Sequence, residues 1–319
     1  LVVSSGATAN AISISNFVST NSTSNGGIAN LRSSNNGSTI KMTDSASGAY
    51  TLIGGEGADY LTGGTDSDTI DGGGGVDTMM GGSGNDIYLF NTNDVGVGEK
   101  LAENVSDGTD VVGIETSTNL SGLTNDSFDN IEEIRFAGSN KIATVTGALL
   151  SGQTIVLTET VAGISELIVN VASGATIDLS NLTATSFTIG SDIVTINVEN
   201  GNANITFPNF AVSLNIGSGT GDDTLTGGTG PDTLDGKDGN DTIEGRGGAD
   251  ILIGGFGNDI FLFNTNDVVV GETITENAGE GTDVIAIVTS TDFANMTDAS
   301  FNEIEEIRFV GSNQTGTFK

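Results

Sequence analysis

Apolar and polar residues alternate in short runs along most of this chain, with a period of two rather than the longer period of a helix. The runs AISISNFV (residues 11–18), TIVLTE (154–159), SELIVNV (165–171), ATIDLS (175–180), SFTIG (186–190), DIVTINV (192–198), NITF (204–207) and AVSLNI (211–216) each put apolar side chains on one face of a strand. Polar, turn-forming residues separate them at short intervals, which predicts an all-β chain. No stretch of helical period exceeds two turns convincingly. The nearest candidates lie around Leu120–Ile134 and Phe293–Ile307.

Elsewhere the apolar positions fall at a strict nine-residue spacing. From Gly54 the chain reads GGEGADYLT, GGTDSDTID, GGGGVDTMM and GGSGNDIYL. From Ser218 it reads SGTGDDTLT, GGTGPDTLD, GKDGNDTIE, GRGGADILI and GGFGNDIFL. All nine fit G-G-x-G-x-D-x-U-x loosely or well, with U apolar, and this pattern resembles the RTX (repeats-in-toxin) calcium-binding nonapeptide repeat. A single copy would carry little weight among 48 glycines, but two phased arrays are hard to reach by chance. SASGAYTLI (45–53) has the same spacing with Tyr50 in the aspartate position, and reads as a degenerate repeat. Residues 81–140 and 254–313 align without a gap, with well over half the positions identical, so the chain holds nearly two copies of one large unit.

Each nonapeptide joins a six-residue turn, whose glycines permit positive φ, to a short strand. The eighth residue points inward: Leu61, Ile70, Met79, Tyr88, Leu225, Leu234, Ile243, Leu252 and Phe261. Two nonapeptides make one coil of a flattened parallel roll, so turns n and n+2 stack on the same edge, about 4.8 Å apart. Asp59 then lies above Asp77, Asp68 above Asp86 and Asp232 above Asp250, while Asp223, Asp241 and Asp259 form a column.

Charge now matters. The chain carries 9 Lys and Arg against 42 Asp and Glu, a net charge of -33. Nucleic acid and anionic membrane surfaces repel such a chain. Disorder is the poorer explanation of the acids, because 36% of residues are apolar and many sit in alternating, β-branched runs. Cysteine and histidine are absent, which removes thiolate and imidazole metal chemistry and leaves oxygen ligands suited to calcium, magnesium or manganese. Two unpaired carboxylates about 5 Å apart repel by roughly 3 kcal/mol at an effective dielectric of 20. A divalent cation between successive turns reverses that sign.

The RTX resemblance implies calcium, with the sixth-position Asp59, Asp68, Asp77, Asp86, Asp223, Asp232, Asp241, Asp250 and Asp259 as side-chain ligands. Carbonyls of the glycine-rich turns complete the set, with Gly54, Gly63, Gly72, Gly81, Gly227, Gly236, Gly245 and Gly254 as the candidate positions. Counting n/n+2 pairs gives about five ions. Some positions depart from the pattern: Asp66 replaces a turn glycine, and Lys237 and Arg246 occupy the second glycine position, where a cation beside calcium is expected to weaken the site. The extra acids Glu56, Asp71, Asp235, Asp238 and Glu244 read as solvated. The recurring NTND (91–94, 264–267) and GTD (108–110, 281–283) segments read as turns, the alternative being a further calcium site closing each roll. IEEIRF (131–136, 304–309) reads as a solenoid coil.

The expected organisation is a β-rich segment (1–44), a first RTX roll with flanking coils (45–140), a β-solenoid connector (141–217) and a second roll (218–319). The connector is similar in composition to the strand-rich parts of RTX surface-layer proteins. Catalysis has no obvious seat: without histidine there is no HExxH zinc site and no Ser-His pair, and no GxSxG elbow occurs. Three readings follow: a self-assembling surface-layer, matrix or filament subunit; an adhesin stalk; and the calcium-folded secretion module of an exported enzyme. Self-association is the expected partnership, with cell-surface polysaccharide as a further partner, no nucleic acid and no membrane insertion. The resemblance implies type I secretion and an extracellular or cell-surface location. The start at Leu1 and the ending QTGTFK, unlike a signal at either end, suggest a processed chain or a piece of a longer one.

Overall fold

The computed structural model describes residues 2–3, 8–14, 16–18, 24–25, 28–33, 37–42, 48–104, 108–187, 192–206, 211–276 and 281–318. The first residues of SASGAYTLI, the end of SFTIG and Phe207 of NITF lie outside them, as do parts of the polar stretch between residues 19 and 38. Two compact units emerge. One comprises Leu1–Val145 and Gln153–Ala162, the other Thr146–Gly152 and Gly163–Lys319.

The first unit is a parallel β-solenoid. One sheet carries, in order, Thr8–Ile14, Ile28–Ser33, Tyr50–Ile53, Thr69–Asp71, Ile87–Phe90, Val111–Ile114, Glu133–Phe136 and Val156–Glu159. The other carries Asn16–Val18, Thr39–Lys41, Tyr60–Thr62, Thr78–Met80 and Lys100–Leu101. Consecutive nonapeptides alternate between the sheets, and the residue that faces Asp59 across the ladder is Asp77, 18 positions on. That offset is two nonapeptides per coil, as the spacing predicts.

Each three-residue strand is too short to bury more than its central apolar side chain. Leu52, Ile70, Tyr88, Val112, Ile134 and Leu157 stack in one sheet and Ile40, Leu61, Met79 and Leu101 in the other, all between 0% and 1% exposed. Burial of one such side chain contributes about 1.5–3 kcal/mol. A coil with two of them has little apolar surplus with which to offset unpaired carboxylates.

The second unit repeats the design. One sheet runs Glu166–Val171, Ile193–Val198, Ser213–Gly217, Thr233–Asp235, Ile251–Ile253 and Thr273–Thr275. The other runs Thr176–Asp178, Asn204–Thr206, Thr224–Thr226, Thr242–Glu244, Ile260–Phe263, Val284–Ile287 and Glu306–Phe309. The alternating runs predicted between residues 154 and 216 supply strands in both units. The two weak helical candidates contain only a single 3-10 turn each, at Asn125–Phe128 and Asp298–Phe301. The one α-helix among the described residues is the single turn Gly147–Leu150.

Candidate metal centre

All nine sixth-position aspartates are buried, none more than 3% exposed. They stack as predicted. Asp59 N–H donates to Asp77 Oδ1 (2.7 Å) and Asp68 N–H to Asp86 Oδ1 (2.6 Å). In the second array Asp223 donates to Asp241 (2.7 Å), Asp241 to Asp259 (2.7 Å) and Asp232 to Asp250 (2.9 Å). Tyr50, in the aspartate position of the degenerate repeat, keeps the backbone half of the pattern by donating to Asp68 Oδ1 (2.7 Å).

In every motif aspartate but Asp59, one carboxylate oxygen is therefore tied to the neighbouring coil. The other turns back toward its own glycine-rich turn, where Asp59, Asp68 and Asp232 take the N–H of Gly55, Gly64 and Gly228 at 2.6–2.8 Å. In Asp77, Asp241 and Asp250 that second oxygen is buried with no hydrogen-bond partner. An ionised oxygen in this state costs several kcal/mol. Burial accordingly pushes the Asp77, Asp232 and Asp241 carboxyls up to about 7, and Asp68 and Asp250 to about 6, from an ordinary 3.8.

The first-position glycines sit against these oxygens. A Cβ at Gly72 would lie 2.6 Å from Asp77 Oδ2, and one at Gly227 would lie 2.6 Å from Asp232 Oδ2. Gly54, Gly63, Gly227 and Gly236 also face the carbonyl oxygens of Gly72, Gly81, Gly245 and Gly254 in the following coil. Unpartnered carboxylate oxygens, stacked turn carbonyls and no room for a side chain form an all-oxygen donor set, which fits calcium.

The departures from the motif resolve differently. Lys237 and Arg246 hold the left-handed φ of a turn glycine, 70° and 66°. Lys237 turns outward to pair with Asp235 and makes no side-chain contact with the ladder aspartates. Arg246 approaches Glu244 (3.8 Å) but also donates to the Gly227 carbonyl (3.3 Å), a candidate ligand of the Asp232–Asp250 site. Arg246→Gly is expected to tighten calcium binding at that site a few-fold, while Lys237→Gly leaves affinity unchanged. Calorimetric titration of the two variants separates them. Asp66 accepts from Gly48 N–H (2.6 Å) at the surface. Glu56 and Asp238 are exposed, whereas Asp71, Asp235 and Glu244 are half-buried.

Beyond the motif, the ladder takes in GTD acids that the sequence read as turns and glutamates that it did not single out. The GTD aspartates are rungs of the ladder and not simple turns: Asp86 N–H donates to Asp110 (2.8 Å) and Asp259 N–H to Asp283 (2.9 Å), each 24 residues on. Asp110 and Asp283 donate in turn to Glu132 and Glu305 (2.7 Å each). Glu103 reaches in from a loop so that Asp86, Glu103 and Asp110 offer carboxylate oxygens within 4.8 Å of one another, a grouping able to hold a metal ion. Glu103 accepts from Gly81 N–H (3.0 Å) and from the Tyr88 hydroxyl. Its counterpart Glu276 accepts from Gly254 (2.8 Å) and Gly255 (3.4 Å) beside Phe261, which has no hydroxyl to offer. Burial lifts both glutamates to about 8. The NTND segments are turns as read, closed by Asn91 N–H to Asp94 and Asn264 N–H to Asp267 (2.6 Å each).

Comparison with known families agrees with this geometry. The model of the RTX calcium-binding nonapeptide repeat, in 4 copies, matches residues 53–88, 218–248 and 226–261. The chain carries RTX calcium-binding repeats in both arrays. No curated protein matches the chain.

Proposed function

We propose that this chain is a non-catalytic, calcium-stabilised extracellular structural protein that self-assembles at a cell surface, as a subunit of a surface layer, matrix or filament. The observation that carries the reading is the ladder of buried carboxylates, which occupies the turns on which each roll is built and serves to hold coils together. RTX repeat proteins are typically exported, and low cytosolic calcium keeps such a ladder open until the chain meets calcium outside. Among the described residues no helix is long and apolar enough to cross a membrane. A groove of about 660 Å³ beside Thr92, Asn119 and Thr144 has no ionisable side chain in its lining.

Support for self-assembly comes from the two copies of IEEIRF. In Glu133–Phe136, Ile134 and Phe136 are fully buried under the Val156–Glu159 strand. In Glu306–Phe309, Ile307 and Phe309 are 42% and 48% exposed, and Val310 beside them is 45% exposed. A further coil laid down as Val156–Glu159 is covers this apolar edge and pairs its backbone groups, whether it continues the chain or comes from a second copy, and assembly is the second case. In about 10 mM calcium the chain is expected to form polymers visible by electron microscopy, which chelator disperses and Ile307→Glu suppresses. A chain that sediments as a monomer in calcium contradicts the assembly reading and leaves calcium binding standing.

A further inference from the structure

Each nonapeptide array stops, but its ladder does not. In the first copy Lys100 and Leu101 pair with Thr78 and Met79, which puts Glu99 in the rung position that follows Asp77. In the second copy Thr273 pairs with Ile251, which puts Glu272 after Asp250. Glu99 and Glu272 are 0% and 2% exposed, as deeply placed as the motif aspartates.

At both rungs a buried carboxylate oxygen lacks a hydrogen-bond partner. Glu99 Oε2 accepts from Gly96 N–H (2.9 Å), while Oε1 is buried without a hydrogen-bond partner. Below it, Asp77 Oδ2 is also buried and without one. Glu272 Oε2 accepts from Asp250 N–H (3.2 Å), and Asp250 Oδ2 is the unpartnered oxygen there. Asp77, Asp94 and Asp71 all act on Glu99 with the same sign, as Asp250, Asp267 and Asp232 do on Glu272. The rung is 22 residues away here, compared with 18 inside the array. The coil is four residues longer here, and its rung is a glutamate in place of an aspartate.

We propose that Glu99 and Glu272 are calcium ligands, each closing with Asp77 or Asp250 one additional site at the end of its array. The sites lie outside the nine-residue spacing, and the proposal rests on the calcium reading of the motif. A divalent ion between the two coils takes up the orphaned oxygens and removes the repulsion of adjacent buried acids. It also fastens the wider coil to the last regular one, so the end of each array is held as firmly as its middle.

The test counts calcium bound to the full chain at saturation, for the native sequence and for Glu99→Gln with Glu272→Gln. Glutamine keeps the acceptor for Gly96 N–H and removes the charge. The variant is expected to bind about two fewer ions, one per copy. An unchanged count overturns the proposal. The native chain, crystallised with calcium, supplies the second measurement whether or not the variant folds. Anomalous density beside both Glu99 and Glu272 supports the assignment. Density only between motif aspartates overturns it while the motif reading survives, and density nowhere overturns both.

Discussion

Stripped of divalent ions at about pH 7.5, the chain loses most of its far-UV β signal, and acidification to about pH 4.5 without any metal brings a large part of it back. The cause is the set of carboxyls that the fold buries. Besides the motif aspartates raised to about 6 or 7, burial lifts Glu99, Glu103 and Glu276 to about 8 and Glu272 to about 9. In the unfolded chain the same groups ionise near their ordinary values of 3.8 and 4.5.

Between those limits the ion-free fold binds more protons than the unfolded chain, so its stability falls as pH rises. The loss begins near pH 4 and continues until each folded-state value is passed, between about 6 and 9. Each such group costs the ion-free fold on the order of a few kcal/mol at neutral pH. Several together exceed the roughly 5–15 kcal/mol that a domain has in reserve. Calcium inverts the dependence, because it binds the ionised form and leaves as protons return. Circular dichroism across pH, with chelator and with calcium, reads both slopes. A chelated chain that is more stable at about pH 8 than at about pH 5 contradicts the account.

Asp241→Asn is expected to change stability in opposite directions with and without calcium. Asp241 sits in the middle of the Asp223–Asp241–Asp259 column and is shared by two candidate sites. At calcium tenfold above the dissociation constant each site contributes about 1.4 kcal/mol, so losing both costs about 3 kcal/mol. For a unit of this size that lowers the melting temperature by about 6–12 °C. In chelator at about pH 5, where the ion-free fold is retained, the amide still accepts the Asp223 N–H and carries none of the cost of ionisation, so the variant melts above the native chain. Thermal melts in the two buffers decide. A shift of the same sign in both means that Asp241 is an ordinary structural residue.

Much of this was legible in the residues. The nine-residue spacing predicts the 18-residue coil, and the eighth position predicts the buried stack from Leu61 to Phe261, all 0–1% exposed. The sixth position predicts the columns, down to Tyr50 standing over Asp68. What escaped lies where the period changes. Once the coil lengthens to 22 or 24 residues, register no longer follows from counting: Glu99 and Glu272 look like loop acids, and Asp110 and Asp283 like turn residues. A signal was present in the duplication: Gly98-Glu99 recurs as Gly271-Glu272 and Glu103-Asn104 as Glu276-Asn277, while the strand residues between them, Lys100 and Leu101, change to Thr273 and Ile274. Nor does the nonapeptide tell which way Lys237 and Arg246 turn. That depends on the neighbouring acids, Asp235 for one and Glu244 with the Gly227 carbonyl for the other.

The most direct trial of the carboxylate ladder is a calcium titration at about pH 7.5 in which β structure and bound ions are measured on the same sample. The ladder predicts that both rise together and that folding is complete only when about five or more ions are bound per chain. A full β signal with no ion bound, or ions taken up with no change in structure, contradicts it.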